Sequence, residues 1–436
     1  MSASQPYTRL SLGLVVASLP FYLFPLNLGP VALSPPEAAL LLCALIVGLR
    51  RVFDRRGGQR RLLPEPSFFD APIALLLAAA LLSLLVTEYF RLSLRELRTL
   101  IVEPILFFYL VRSVVGSVED ATWLLDVFLT GVTIVALLGI GQFFLGGAVT
   151  DVQGVRRVQG TYLSPNHFGL LLGRALPFLL AGAWLGVRRG PRTLAALICS
   201  TALVLTFSVG AWLGTVAAIL TLSLILGGRR VVLAVGLAVV VLSLAAVATL
   251  PAERVLARLD PAQGTALVRV QLWQAAGQML AEQPLLGIGL DNFLYRYPAY
   301  VPPNVILEPN LSHPHNLVLQ FWLQLGLLGL VAISWLLGTF VARAVPATRG
   351  GRAPAERALA AGALASMANF VVHGLIDNSY FLVDTAFIFW LTLGITPTRL
   401  IADSGVVYNH GRRAGRLRSG SQGARPTLTL LDGGAP

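Results

Sequence analysis

The sequence predicts an all-α integral membrane protein with about twelve transmembrane helices, and three observations carry that expectation. Hydrophobic residues make up 56% of the 436 positions and charged residues only 12%. The mean hydropathy is +0.74. Apolar stretches of spanning length recur almost from end to end. A soluble chain of this length carries roughly twice the charge and divides into two or three domains. One polytopic membrane domain, residues 1–400, is therefore expected, followed by a disordered, basic cytoplasmic tail over 401–436 that is rich in Gly, Ser and Arg. Cys43 and Cys199 lie inside apolar spans, where cysteine behaves as a small hydrophobe, so no disulfide framework is implied.

Spans are expected near 9–26, 34–49, 70–88, 97–115, 121–146, 165–187, 192–208, 211–227, 231–250, 316–342, 354–375 and 380–398. The first follows Arg9 without a small-residue cleavage pattern, which makes it a retained helix rather than a signal peptide. Orientation follows from the enrichment of short cytoplasmic loops in basic residues. Alternate connections hold Arg50, Arg51, Arg55, Arg56, Arg60 and Arg61, then Arg188, Arg189 and Arg192, then Arg229 and Arg230, then Arg343, Arg349, Arg352 and Arg357. The tail carries Arg412, Arg413, Arg416, Arg418 and Arg425 on the same side, so both termini are expected to be cytoplasmic. The net charge of +12 is spread over these loops without aromatic interleaving. That pattern suits anionic lipid headgroups as partners and gives no footprint for nucleic acid.

Function is expected on the opposite face, where the connections 147–164 and 251–315 are long and carry arginines that orientation does not explain. In the first, Ser164 and Pro165 suit a helix cap and start, with Asn166 next. Capping gives no reason for the adjacent Arg156 and Arg157; a phosphate partner would. In the second, a helix is expected from about Thr265 to Glu282, with Arg269 and Trp273 four apart on one face. Such a pair serves either as an interfacial anchor or as an arginine aimed inward. Gly287-Ile288-Gly289 lacks the preceding strand of a dinucleotide loop and is expected to be a turn. His313 and the pair His315-Asn316 then stand at the mouth of a long apolar segment, nine residues before Gly326-Leu327-Leu328-Gly329. The pair reads either as a helix cap or as chemistry, since histidine is the side chain that accepts and releases protons in the physiological range.

Other polar residues have plainer expectations. Arg174, about two turns into its helix, either snorkels outward, pairs with a carboxylate or serves function, the default for a charge at that depth. His373 and Asp377, four apart, are spaced for a mutual hydrogen bond that fixes helix packing, ahead of a catalytic role as the alternative. His167 is expected only to sit at a helix start.

Taken together, these motifs resemble the O-antigen ligase and polymerase superfamily of bacterial membrane glycosyltransferases, over roughly residues 90–400. The carriers are His315-Asn316 with Gly326-x-x-Gly329, then Arg269-x-x-x-Trp273 followed by Pro284 to Phe293, and Arg157-x-x-Gly160 with Pro165-Asn166. The resemblance implies a GT-C-like fold in the bacterial inner membrane, with short helices in the long extracytoplasmic loop. It also implies a polyprenyl-diphosphate-linked glycan donor and a lipid A-core or other glycan acceptor. His315 would deprotonate the acceptor hydroxyl, Arg269, Arg157 and Arg156 would bind diphosphate, and Asn316, His313, Trp273, Asn166 and Arg174 would support them. One departure stands out. Members commonly carry Ser-Arg-Gly where this chain has Ser208-Val209-Gly210. The charge must then come from Arg156, Arg157 or Arg174, or transfer is impaired. No cofactor is expected. No Asp-x-Asp occurs, which argues against a metal-dependent mechanism, and no metal ligands are assigned. Ligase is expected ahead of repeat-unit polymerase; a lipid-linked-glycan transporter and a silent scaffold are the alternatives.

Overall fold

The computed structural model describes residues 5–28, 31–55, 66–146, 149–152, 155–248, 264–301 and 313–396. The tail expected over 401–436 and parts of both long connections lie outside the described residues. Helices occupy each of the twelve stretches expected: α1 Gln5–Ser18, α2 Pro35–Arg55, α3 Asp70–Ser83, α5 Glu103–Val114, α6 Val118–Leu145, α7 Pro165–Trp184, α8 Arg189–Leu205, α9 Val209–Leu222, α10 Gly228–Ala248, α13 Leu317–Ala344, α14 Pro354–Gly374 and α15 Val383–Ile395. Short or peripheral helices are α4 Phe90–Glu96, α11 Gly264–Glu282 and α12 Phe293–Arg296. Among the described residues, four stretches are long and apolar enough to cross a membrane: Val118–Leu145, Pro165–Trp184, Val209–Ala238 and Leu317–Thr348. The apolar helices α3 and α15 are shorter than that limit.

The fold is all-α, with two short antiparallel strand pairs among the described residues, β1 Leu26–Leu28 with β2 Val31–Leu33, and β3 Val149–Val152 with β4 Val155–Val158. The first begins at Leu26, the last residue of the span expected over 9–26, and the helix does not reach it. Instead α1 stops at Ser18, and Pro20 sets a tight turn at Leu19–Phe21. Likewise α3 ends at Ser83 rather than near 88. Beyond it Asn292 takes over the backbone, accepting from Glu88 N and Tyr89 N at 3.2 and 3.3 Å and donating to Thr87 Oγ1 at 2.7 Å.

Caps fall where short polar residues precede apolar runs. Ser117, Ser164 and Ser208 accept from backbone N–H groups of α6, α7 and α9. At α13, Asn316 accepts from both Val318 N and Leu319 N. Helix α7 is buried on nearly all sides from His167 to Gly182, as an apolar-all-round helix must be, and packs on α14 and α9. Close approach there depends on small residues: a Cβ on Gly210 or Gly214 of α9 would meet the side chains of His373 or Asn369 of α14. The outward sides of the bundle stay apolar, with Ile134, Leu137 and Leu138 of α6, Leu194 and Leu197 of α8, and Val331 and Trp335 of α13 exposed. A belt of this kind suits hydrocarbon rather than water.

Contacts between helix ends fall into two groups. Arg9 meets Asp120 at 3.3 Å, Arg188 and Arg192 meet Asp126 at 2.9 and 3.0 Å, and Arg343 lies over the Phe68 ring. At the other ends, Thr161 donates to Pro20 O, Arg98 meets Glu37 at 2.9 Å, and Asn292 binds the segment after α3.

A candidate catalytic histidine at the ends of the helices

The turn between α14 and α15 forms the floor of the candidate site. Asn378 accepts from Phe381 N at 2.9 Å and donates to Phe381 O, while Ser379 Oγ donates to Phe370 O. From below, Arg174 of α7 donates to Ser379 O at 2.9 Å with its guanidinium 4.4 Å from the centre of the Phe370 ring. Arg174 is only 1% exposed, so it does not snorkel; the buried Asp384 is the carboxylate whose field acts on it, without a close ion pair among the described residues. Its place is a brace under the turn.

Asp377 stands on this floor and receives His315. The imidazole Nδ1 lies 2.8 Å from Asp377 Oδ1, which also accepts from Asn378 N at 2.8 Å. A carboxylate only accepts, so Nδ1 carries a proton, and in the neutral imidazole Nε2 keeps a lone pair. The His315 side chain is 19% exposed, enough for a substrate group to reach it. His315 itself is in the left-handed region at φ 49°, and that strained backbone is held from both sides. Trp273 Nε1 donates to Pro314 O at 2.9 Å, and Asn316 Nδ2 donates to Leu375 O at 3.0 Å.

The expected packing bond between His373 and Asp377 is corrected by this arrangement. Their Nε2 and Oδ2 atoms are 3.9 Å apart, beyond hydrogen-bond length, because the carboxylate has turned to His315. Asp377 was not among the candidate site residues. Its partner is 62 positions away, and the nearer His373 at helical spacing offered a simpler explanation.

Arg269 of α11 enters beside the same turn, its Nε donating to Ile376 O at 3.1 Å, one residue before Asp377. Arg157 of β4 reaches the α8–α9 turn, donating to Thr206 O at 2.8 Å and to Asn166 Oδ1 at 2.7 Å. That turn leads into Gly210, which packs on His373. Arg156 does not join them. Neighbouring residues on a strand project to opposite sides, and Arg156 donates to Phe143 O at the end of α6 and lies against the Phe143 ring. Val209, at the first position of α9, is 57% exposed and uncharged.

His167 carries more than a helix start. Its Nε2 lies 2.8 Å from Oδ1 of the fully buried Asp384, which also accepts from Tyr162 at 3.1 Å. This second histidine–carboxylate pair ties α7 to α15.

Electrostatics divides the three groups at the mouth. Burial pushes the Asp377 carboxyl up, but the hydrogen bond from His315 and the fields of His315, His373 and His313 outweigh it and hold it well below the usual carboxylate range. Burial, with His315 nearby, pulls His313 down to about 3, against the opposing field of Asp377. A stability effect follows. Between about pH 6.5, where an unfolded histidine takes its proton, and about 3, where folded His313 does, the unfolded chain binds more protons. Stability is therefore fully present above the upper limit and declines as pH falls through this window. In chelator-treated protein, His313→Gln should flatten the fall in melting temperature between pH 6.5 and 4; an unchanged slope would mean that His313 does not carry it.

His313 Nε2 is also 4.0 Å from Asp377 Oδ1, and its ring centre lies 4.4 Å from that of His315. One atom from each of His313, His315 and Asp377 falls within 4.8 Å of the others, a set able to hold a metal ion.

Against known proteins, residues 194–334 match the family model described as O-antigen ligase. The match runs from α8 into α13 and takes in Arg269, Trp273, His313, His315, Asn316 and the Gly326–Gly329 motif, ending before Asp377. A search of curated proteins finds no match.

Proposed function

From the membership of residues 194–334 in the O-antigen ligase and polymerase superfamily, we propose that the chain transfers a glycan from undecaprenyl diphosphate to an acceptor hydroxyl at the outer face of the bacterial inner membrane. In this orientation both termini are cytoplasmic, and the connections 147–164, 251–315 and 375–382 face outward. His315 Nε2 takes the proton of the acceptor hydroxyl as that oxygen bonds to the anomeric carbon. The bond from that carbon to the diphosphate oxygen breaks, and its electron pair leaves with the diphosphate. Asp377 holds the required tautomer and offsets the charge on the imidazolium. Arg269 and Arg157 meet the charge on the leaving group; guanidinium forks match phosphate oxygens and remain charged at any working pH. A diphosphate is already an activated leaving group, so neither nucleotide nor metal is required.

The observation that carries this reading is the His315–Asp377 pair with Arg269 anchored at Ile376, one residue away. Ligase is the preferred form, with a lipid A-core or other glycan as acceptor; a repeat-unit polymerase would use the same groups. A silent scaffold is favoured by one feature, the exposed Val209 where the family commonly has arginine.

Purified protein, a labelled undecaprenyl-diphosphate oligosaccharide and EDTA test both. The native chain should transfer, Arg269→Ala should lose on the order of a hundredfold, as loss of one charge-stabilising donor does, and product size will separate ligation from polymerisation. A native chain that is inert while Val209→Arg turns over is a silenced member. Inactivity in both, with a competent acceptor present, would sink the transferase reading.

A further inference from the structure

We propose that His313, His315 and Asp377 form a binding site for a borderline divalent cation, Zn²⁺ foremost, and that the bound ion switches the candidate base off. The consequence for transfer rests on the function proposed above; the site itself does not.

Three features of the geometry support it. The first is spacing. Ligand atoms around a tetrahedral Zn²⁺ with bonds of about 2.0–2.1 Å stand about 3.3 Å apart. Here the Oδ1 of Asp377 is 2.8 Å from His315 Nδ1 and 4.0 Å from His313 Nε2. The first separation needs to open by about 0.5 Å, and the second to close by about 0.7 Å, to reach that value. The second is donor chemistry. Two imidazoles and one carboxylate select Zn²⁺ or a neighbouring d-block ion over Mg²⁺ or Ca²⁺, which want oxygen ligands. The third is support. The two histidines flank Pro314, whose carbonyl is held by Trp273, and Asp377 is fixed by Asn378 N. Ligands braced in this way lose little freedom on binding a metal.

The consequence follows from the imidazole itself. In the metal-free pair, His315 carries its proton on Nδ1 and accepts at Nε2. A cation on Nδ1 moves that one proton to Nε2, with none gained or lost by the ring. Nε2 then donates and can no longer take a proton from a hydroxyl. The same contact removes the hydrogen bond by which Asp377 supports the ring.

Titration of the purified full chain with ZnCl₂, and with CoCl₂ read by its visible absorption, tests the site directly. One ion per chain is expected. His313→Ala and Asp377→Asn should each lower affinity at least tenfold, and His313→Cys, which restores a ligand, should regain it. Transfer by the native chain should fall at least tenfold at saturating Zn²⁺ and return with EDTA. No stoichiometric binding, or binding indifferent to both His313→Ala and Asp377→Asn in proteins that melt as the native chain does, overturns the site. Zn²⁺ that stimulates transfer overturns the switch. A chain that binds one ion through these residues, yet transfers nothing after chelation, upholds the site and overturns the proposed function instead.

Discussion

Replacing His315 with alanine is expected to reduce transfer by about 10²- to 10⁴-fold, the usual contribution of a positioned general base, or about 3–5 kcal/mol of transition-state stabilisation. The fold should survive, because the ring is partly exposed and the capping of α13 belongs to Asn316, not to His315. Asp377→Asn should cost a similar factor, since an amide can face Nδ1 but cannot offset the imidazolium charge. If Asp377 acts through His315, the double variant loses no more than His315→Ala alone. Rates of native, single and double variants, measured on protein of matched melting temperature, decide this. Full activity in His315→Ala removes the base from the mechanism. Additive losses in the double variant would give Asp377 a separate role.

Gly326→Ala is expected to destabilise the protein by about 2–6 kcal/mol, from strained backbone together with lost hydrogen bonds. Gly326 interrupts α13 at φ 66°, ψ −172°, a region open essentially to glycine alone. The segment after α11 fills the interruption: Leu327 N donates to Leu285 O at 2.9 Å, and Ile288 N donates to Leu323 O at 2.7 Å. Trp322 Nε1 adds a bond to Pro284 O at 2.7 Å. A Cβ on Gly326 would overlap Leu285 O, and one on Gly287 would overlap Leu323 O. No flexible side chain stands there to yield. Because α11 carries Arg269 and Trp273, losing this junction should also loosen His315, so activity should fall with stability. Gly338→Ala, in the same helix with nothing within 4 Å of its added Cβ, is the control and should be neutral or slightly stabilising. Equal melting temperatures for the two variants would mean that the interruption is not a structural requirement.

Legibility in the sequence differed by residue. Ser164 and Asn316 were readable as caps because capping depends on neighbours two or three positions away, whereas Ser208, expected to close one helix, caps the next. The Gly326-x-x-Gly329 motif was visible, but its use was not: a helix expected to run unbroken from 316 to 342 is opened, and the distant segment 284–288 bonds to it there. Arg157 and Arg156 looked alike in sequence and separate in space, because a two-residue strand period sends them to opposite sides. Arg174 was recognisable as out of place at its depth, yet its brace against Ser379 depends on a turn 205 positions later.

The sequence by itself determined the helices and their order and the alternation of basic loops, and it put His315, Arg269 and Arg157 forward as candidates. Hydrophobic runs, turn residues and charge asymmetry act locally and are written in contiguous residues. Tertiary structure alone decided that Asp377 serves His315 rather than His373, that Arg156 stands apart, and that His167 binds Asp384. Those pairings depend on which helix ends meet. Glycine-mediated packing of α7, α9 and α14 brings the ends together, and a carboxylate with two histidines in reach commits to the one whose backbone is turned towards it.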